Sequence, residues 1–204
     1  MIRTLSTLAL GISSLLALPA LAEVFYWPNP TFLKVPQPKP NITTYTKTQS
    51  AWKCIGCDPA EDFTLNYIQT NTSITDKYAL ATLMGNIKQE SMFLPNICEG
   101  GARVPYHKCY SGGFGLIQWT TESRYNGLGS FCDKYGCDPS TLEGQVRYMI
   151  NENQFQSNLP YFEGKGKSVD YYMNAAYRWL GWGIHGNRTT YTCLLYTSPS
   201  PRDS

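Results

Sequence analysis

The sequence predicts an α+β domain that is predominantly α-helical and carries a small β-hairpin lobe. Several segments place apolar residues at helical spacing, and each follows a capping residue or a proline that typically begins a helix. Residues 95–119 are rich in Gly and Cys and have little helical period, which favours loops and a hairpin. Residues 58–192 are assigned to this domain, and about 130 residues are enough to bury a single core.

Residues 1–22 have the features of a secretory signal peptide. Arg3 supplies a basic start, an apolar run covers residues 5–18, and Ala-Leu-Ala at residues 20–22 matches a cleavage site. The apolar run is short and broken by Ser, Thr and Gly, so an uncleaved membrane anchor is the less favoured alternative. We therefore expect a secreted or periplasmic protein with no stable membrane insertion after cleavage.

Residues 23–57 are predicted to form a Pro- and Thr-rich N-terminal arm. The prolines are closely spaced, which is typical of an extended, semi-rigid linker without a core of its own; they are Pro28, Pro30, Pro36, Pro38 and Pro40. At the other end, residues 193–204 resemble translated adaptor sequence, and we interpret them as a non-native tail.

The first two helices are predicted from their starts and their apolar faces. Asp58–Pro59 begins one helix, because proline is favoured in a first turn. Ser73-x-x-Asp76 has the pattern of a capping box ahead of a second helix. The apolar residues that we expect to share a face are Phe63, Tyr67 and Ile68 in the first helix, and Leu80, Leu83, Met84 and Ile87 in the second.

Two further helices are predicted later in the chain. Asp138–Pro139 begins one of them, and Ser168 caps the last, which Gly181 terminates. Their inward residues are Leu142, Val146, Met149 and Ile150 in the former, and Met173, Ala176, Tyr177 and Leu180 in the latter. Trp179 and Trp182, at the end of this helix, are predicted to belong to the core.

Glu90 is the residue around which we interpret the chemistry. It lies seven residues after Leu83 and therefore projects from nearly the same helix face. Burial disfavours the ionised form of a carboxyl group and raises its pKa. A carboxyl group that stays protonated near neutral pH suits a general acid in glycoside hydrolysis. The alternative is that the helix ends earlier and Glu90 is solvated, as most glutamates are.

Two motifs lie about 25 residues apart: Gly-Asn-x-x-x-Glu-Ser at residues 85–91, and Gly-Leu-Ile-Gln-Trp at residues 115–119. Together they resemble the lysozyme-like superfamily, and most closely the peptidoglycan-degrading lysozyme domain of phage tails. Arg124, a helix at residues 145–152 and the region of Arg188 follow in the family's order. The resemblance covers residues 63–191 and implies a lysozyme-like fold.

The resemblance also implies an activity and a set of site residues. It makes Glu90 the catalytic acid of a muramidase, which cleaves peptidoglycan between N-acetylmuramic acid and N-acetylglucosamine. It places Gln118 and Trp119 along the sugar cleft, with Gly115 in the same motif. Ser91 is a further substrate-binding candidate, although its hydroxyl could equally bond to the helix backbone.

A second carboxyl group is expected, because glycoside hydrolysis usually needs two that flank the bond. Glu99 is the nearest candidate in sequence, and Glu122 and Asp133 are alternatives. Related folds also include lytic transglycosylases, in which a single Glu acts as acid and then base and a hydroxyl group of the substrate replaces water. The sequence leaves open retention, inversion and transglycosylation.

The chain has seven cysteines, and six remain if Cys193 belongs to the tail. Six cysteines allow fifteen pairings, and export makes disulfides plausible. Nearness in sequence favours Cys98–Cys109 and Cys132–Cys137, which leaves Cys54–Cys57. A zinc site made of Cys54, Cys57, Cys98, His107 and Cys109 is the less favoured alternative, and a thioredoxin-like role for Cys54-x-x-Cys57 would need a βαβ unit that the sequence does not predict.

Charge and composition separate the remaining function classes only weakly. The formal net charge is +2, and no cluster of Lys and Arg indicates a nucleic-acid surface. We expect peptidoglycan strands as the partner, a monomer, and neither a metal nor a cofactor. The alternatives are a non-catalytic wall-binding module and a virion-associated structural protein that docks through its N-terminal arm. If the protein is phage-encoded, we expect it to be virion-associated.

Overall fold

The computed structural model describes residues 52–54, 56–110 and 112–196, with side chains up to Thr192. The chain divides into two units, Met1–Lys47 and Thr48–Ser204, and all described residues lie in the second. The predicted signal peptide, nearly all of the predicted arm and residues 197–204 therefore lie outside the described residues. No helix in the described part is long and apolar enough to cross a membrane.

The described domain is predominantly helical, as predicted. Seven α-helices follow one another: α1 (Pro59–Asn71), α2 (Lys77–Ser91), α3 (Glu122–Tyr135), α4 (Leu142–Asn151), α5 (Asn153–Phe162), α6 (Val169–Leu180) and α7 (Arg188–Tyr196). A 3₁₀ turn at Tyr106–Lys108 lies between α2 and α3. Helices α3, α5 and α7 were not predicted from the sequence. Only Leu128 and Cys132 are buried in α3, so its periodic signal is weak. Helix α5 has Phe155, Leu159 and Phe162 at helical spacing, but it contains Pro160, which argues against a helix interior.

The start of α1 agrees with the prediction. The Asp58 carboxylate accepts hydrogen bonds from the backbone N–H groups of Ala60 and Glu61, and the Glu61 carboxylate accepts one from the N–H of Asp58. This reciprocal arrangement is a capping box. Glu61 also forms an ion pair with Lys88, which links α1 to α2.

The central helix α2 begins later than the predicted box. Asp76 itself is the N-cap, with its carboxylate accepting from the N–H groups of Tyr78 and Ala79, while Ser73 is exposed. A carboxylate at this position satisfies two unpaired amides of the first turn. The predicted core face is confirmed, and every residue from Ala79 to Ile87 is buried. The helix therefore runs through the core instead of lying on it.

Helix α4 also begins later than predicted, whereas α6 begins and ends as predicted. Asp138 forms a turn with Ser140 and Thr141, and the Thr141 hydroxyl caps α4 by accepting from Gly144 N. Ser168 caps α6, and Gly181 ends it in the left-handed conformation. Tyr177, predicted to face the core, is instead 53% exposed.

The predicted β-hairpin lobe is not confirmed. The segment between α2 and α3 forms isolated antiparallel bridges, which join Ile97 to Arg103, Cys98 to Phe114, and Phe114 to Trp119. Its conformation is maintained by turns, by hydrogen bonds and by the Cys98–Cys109 disulfide. The other two predicted disulfides, Cys54–Cys57 and Cys132–Cys137, are also present.

Candidate active site

The end of α2 places Glu90 at the edge of the core. Met92 and Phe93, just beyond Ser91, both adopt left-handed backbone conformations, with φ of 52° and 61°. Such conformations are unfavourable for side chains larger than glycine and often occur at functional sites. Phe93 is buried in the core, which anchors the chain just after the end of α2. The helix therefore stops within one turn of Glu90 and leaves its side chain at an opening.

That opening is a cleft of about 590 Å³. Its floor is the end of α2, with Gln89 and Glu90. One wall comes from the segment between α2 and α3, and the opposite wall comes from residues 181–187, which we call the cleft strap. The other lining residues are Glu99, Ile117, Gln118 and Thr120 on the first wall, and Leu180, Gly181, Trp182, Gly183, Ile184, Gly186 and Arg188 on the second.

Glu90 is half-buried, with 17% of its side chain exposed, and forms an ion pair with Arg188. Burial raises the pKa of its carboxyl group, because the charged form loses hydration. The Arg188 guanidinium opposes this effect through its charge and its hydrogen bond, and the charge of Arg124 opposes it further. Burial is the largest of these effects, so the pKa of Glu90 lies above its ordinary value, as the sequence predicts.

Glu99 lines the same cleft, on the wall that carries the motif loop (residues 112–119). Its Oε2 atom accepts a hydrogen bond of 3.0 Å from the N–H of Gly113. A Cβ atom at Gly112 would lie closer than 3 Å to several atoms of the Glu99 side chain, so only glycine fits beneath it. The structure thus brings the two predicted carboxyl groups to one cleft.

The two alternative carboxylates are placed elsewhere. Glu122 lines a separate neighbouring pocket with Cys109, Tyr110 and Tyr125. Asp133 is an exposed residue of α3 and does not line the cleft. Glu99 is therefore the better placed of the three candidates for a second carboxyl group.

Gln118 is the predicted substrate-binding residue that lines the cleft. Its φ of 52° is left-handed, which is uncommon for a side chain of this size. Its amide nitrogen donates to the carbonyl oxygens of Gly115, at 3.0 Å, and Ile97, at 3.4 Å. The hydrogen bonds that stabilise the motif loop therefore also orient this side chain at the cleft wall.

Ser91 and Gly115 do not line the cleft, which corrects their predicted role. The buried Ser91 hydroxyl donates to the carbonyl of Leu116 at 2.7 Å. Gly115 is buried, with φ of 73°, and a Cβ atom there would lie 2.4 Å from Oε1 of Gln145. That same oxygen accepts from the Leu116 N–H at 2.7 Å. Both residues fix the motif loop against α2 and α4, because only a hydroxyl and a bare backbone satisfy these contacts.

Trp119 is also corrected, because it is fully buried and does not line the cleft. Its indole N–H donates to Glu152, whose carboxylate also accepts from Arg124 and from the indole N–H of Trp179. The Arg124 fork is bidentate, at 2.9 and 2.6 Å. Glu152 is only 4% exposed, and these four donors compensate the cost of burying its charge.

The second wall of the cleft was not predicted from the sequence. Trp182 packs against the core and also lines the cleft, while Trp179 is buried as predicted. Arg188 was recognised only as part of the family's order of motifs, with no role. The Gly-rich and aromatic composition of residues 181–186 was the available signal for a loop at a site.

The cysteine ligands of the alternative zinc site are paired as disulfides. Cys98 is bonded to Cys109, and Cys54 to Cys57. Cys54, Cys57 and Glu61 do place potential ligand atoms within 4.8 Å of one another. The carboxylate of Glu61, however, is already engaged by Lys88 and by the N–H of Asp58. With paired sulfurs, these residues form a poor thiolate site.

The chain matches a known protein family. A family described as phage tail lysozyme matches residues 64–182, which is more than half of the chain. The matched range includes Glu90, Glu99 and the motif loop, and it ends before Arg188. No curated protein and no solved structure matches the chain.

Proposed function

The chain belongs to the phage tail lysozyme family, whose members are lysozyme-like peptidoglycan hydrolases, and from this premise we propose that it is a muramidase. The enzyme would cleave the glycosidic bond between N-acetylmuramic acid and N-acetylglucosamine. The observation that carries the proposal is the position of Glu90. It is a half-buried carboxyl group with a raised pKa, and it faces a cleft that holds a second carboxyl group, Glu99.

In the proposed reaction, Glu90 donates its proton to the glycosidic oxygen. The bond between that oxygen and the anomeric carbon breaks, and positive charge develops on the sugar ring. Water then completes hydrolysis by adding its oxygen to the anomeric carbon and losing a proton. Glu99 would either deprotonate that water or attack the sugar first, according to the separation of the two carboxyl groups in the bound complex.

Lytic transglycosylase activity on the same bond is the second candidate. It is favoured by the unequal environments of the two carboxyl groups, because Glu90 is half-buried, whereas Glu99 is exposed and accepts a hydrogen bond from its own loop. In that reaction Glu90 would act as acid and then as base. A hydroxyl group of the muramic acid residue would attack the anomeric carbon in place of water, leaving a 1,6-anhydro end.

Glu90→Gln is the test of the assignment. Glutamine keeps the size and hydrogen-bonding reach of the side chain but cannot donate the required proton. General acid catalysis contributes about 10²–10⁴-fold, so we expect at least a hundredfold lower rate of peptidoglycan clearing, with the fold retained. Glu122→Gln, the same change in a neighbouring pocket, is the matched control and should clear at nearly the wild-type rate.

Near-full activity of a folded Glu90→Gln variant would refute the site. A wild-type protein that binds peptidoglycan without cleaving it would instead favour the non-catalytic module. Among active proteins, product analysis separates the two reactions, since hydrolysis leaves reducing ends and transglycosylation leaves 1,6-anhydro ends. Glu99→Gln should reduce clearing about as much as Glu90→Gln does if the enzyme is a hydrolase, and less if it is a transglycosylase.

The remaining parts of the proposal follow from the family and the sequence. The family implies peptidoglycan as the substrate. We propose that the protein acts as a monomer, either exported through its signal peptide or carried on a phage particle. Neither a metal nor a cofactor is needed for the proposed chemistry, since a carboxyl pair or a single Glu suffices.

A further inference from the structure

We propose that Arg188 is a positioning residue for Glu90, and that it selects which oxygen of the carboxyl group faces the substrate. This inference rests on the proposed function. Arg188 comes from α7, outside the range matched by the family. Its Nη2 atom donates to Oε1 of Glu90. Among the described residues, Oε2 of Glu90 makes no hydrogen bond. Arg188 therefore leaves that oxygen to carry the proton into the cleft.

The guanidinium of Arg188 is held at both of its terminal nitrogens and on one face. Arg188 is only 4% exposed, and its Nη1 atom donates to the carbonyl oxygens of Ile184, at 2.8 Å, and His185, at 2.9 Å. The ring of Trp182 lies 4.6 Å from its central carbon. A planar fork with these contacts orients a carboxylate better than a flexible lysine would.

The helix that carries Arg188 is equally constrained. Gly85 of α2 faces α7 so closely that a Cβ atom there would lie 2.5 Å from Oγ1 of Thr192 and 3.0 Å from the carbonyl oxygen of Arg188. Between the helices, Oε1 of Gln89 accepts from the N–H of Asn187 at 2.7 Å. Arg188 thus approaches Glu90 from a helix that is docked directly on the helix of Glu90.

The Nε atom of Arg188 has no hydrogen-bond partner although it is buried. An unsatisfied buried donor is unfavourable. Most buried donors in proteins have a hydrogen-bond partner. A side chain whose orientation is set by another interaction, here the ion pair with Glu90, can leave one donor unpaired. The orphan atom is therefore consistent with a geometry set by the ion pair with Glu90.

The charges around Glu90 determine what removal of Arg188 should do. Arg188 on α7 and Arg124 on α3 are the cations that act on Glu90, and Glu99 is the other carboxyl group in the cleft. Arg124 forms its own ion pair with Glu152, which does not involve Arg188. Loss of Arg188 removes the nearest positive charge, whereas the burial of the Glu90 carboxyl group still raises its pKa. Glu90 should therefore keep its proton to a higher pH.

The experiment compares Arg188→Gln, Arg188→Lys and the wild type on soluble peptidoglycan fragments. In Arg188→Gln we expect kcat/KM at the optimum pH to fall at least tenfold. We also expect the alkaline limb of the pH profile of kcat/KM to move up by about one pH unit. Arg188→Lys keeps the charge, so the alkaline limb of its pH profile should stay near that of the wild type, while kcat/KM remains reduced. Arg178→Gln, the same charge change at an exposed residue of α6, is the control and should alter neither quantity.

A titration of the Glu90 carboxyl by ¹³C NMR, assigned with Glu90→Gln, tests the ion pair without any activity. Its midpoint should be higher in Arg188→Gln than in the wild type, even if the proposed function proves wrong. The inference would be overturned if a folded Arg188→Gln variant showed the wild-type alkaline limb in its pH profile and the wild-type midpoint in the Glu90 titration. If Arg188→Gln does not fold, full wild-type kcat/KM in Arg188→Lys would overturn it instead, because lysine cannot reproduce the fork.

Discussion

At the scale of single residues, the environment of Glu90 has a consequence for stability. Burial raises the pKa of its carboxyl group in the folded protein, and Arg188 opposes this only in part. A carboxyl group whose folded pKa is raised binds its proton more tightly in the folded state than in the unfolded state. The folded protein therefore loses stability as pH rises from the ordinary value of 4.5 through the raised pKa.

We predict that the stability of Glu90→Gln relative to the wild type increases over this pH range. Glutamine does not ionise, so the variant escapes the loss that the wild type undergoes. Urea denaturation at a series of pH values measures the two free energies of unfolding. Equal m values are the control, since they show that both proteins expose the same surface. A relative stability that falls as pH rises would contradict the raised pKa.

Trp119 provides a second test at the residue scale. In Trp119→Phe the buried Glu152 loses one of its donors, and we expect the free energy of unfolding to fall by about 2 kcal/mol. Affinity for peptidoglycan fragments should stay near the wild-type value, because Trp119 does not line the cleft. Trp182→Phe, at the cleft wall, is the contrasting variant and should weaken binding. If Trp119→Phe but not Trp182→Phe lost affinity for peptidoglycan fragments, Trp119 would be a substrate-binding residue after all.

At the scale of elements, the site depends on how closely α7 packs against α2. The contact occurs at Gly85, where the absence of a side chain lets Thr192 and the backbone of α7 approach. Small residues permit this kind of close approach between helices, and interiors packed at high density resist added atoms. The glycine of the Gly-Asn-x-x-x-Glu-Ser motif, five residues before Glu90, therefore serves the candidate site indirectly.

We predict that Gly85→Ala destabilises the protein and reduces activity. Alanine is the better helix former, but its Cβ atom would displace α7, and overpacking of this kind costs about 1–3 kcal/mol. Thermal denaturation and clearing rates would measure both effects. Gly164→Ala is the control, because its Cβ atom would meet its nearest neighbour at an ordinary 3.5 Å. A Gly85→Ala variant as stable and active as the wild type would show that α7 is not tightly docked.

At the scale of the whole molecule, the candidate site joins segments that are distant in the chain. Glu90 comes from α2, Glu99 and Gln118 from the segment before α3, and Trp182 and Arg188 from the cleft strap and α7. The domain boundary predicted at residue 192 falls within α7. The end of the described domain is therefore part of the site's architecture, although the family match stops at residue 182.

We predict that a chain ending at residue 196 keeps its melting temperature and activity, whereas a chain ending at residue 187 loses both. The shorter chain lacks Arg188 and Thr192, so the Gly85 face of α2 is exposed and Glu90 has no partner. We expect its melting temperature to fall by more than about 5 °C. Equal melting curves and clearing rates for the two chains would show that α7 is dispensable.

The accuracy of the sequence predictions varied with the range of the interactions involved. Helices α1, α2, α4 and α6 and the three disulfides were predicted, because periodicity, capping and nearness in sequence are local properties. Two residues of the predicted faces, Phe63 of α1 and Tyr177 of α6, are nevertheless exposed. Helices α3, α5 and α7 were not predicted, and the hairpin lobe is not confirmed. Helix α7 depends on tertiary contacts, such as Gly85 with Thr192, more than on its own pattern.

The sequence by itself determined the helical class and the family resemblance, and it predicted the cysteine pairing and made Glu90 the candidate acid, since each resides in residue identity and spacing. Only the tertiary structure decided which motif residues line the cleft. Trp119, Ser91 and Gly115 share a motif pattern with Glu90 and Gln118, yet they satisfy buried hydrogen bonds and close contacts instead. Spacing along the chain does not specify whether a polar or aromatic group meets solvent or another buried partner, because that partner comes from a distant segment.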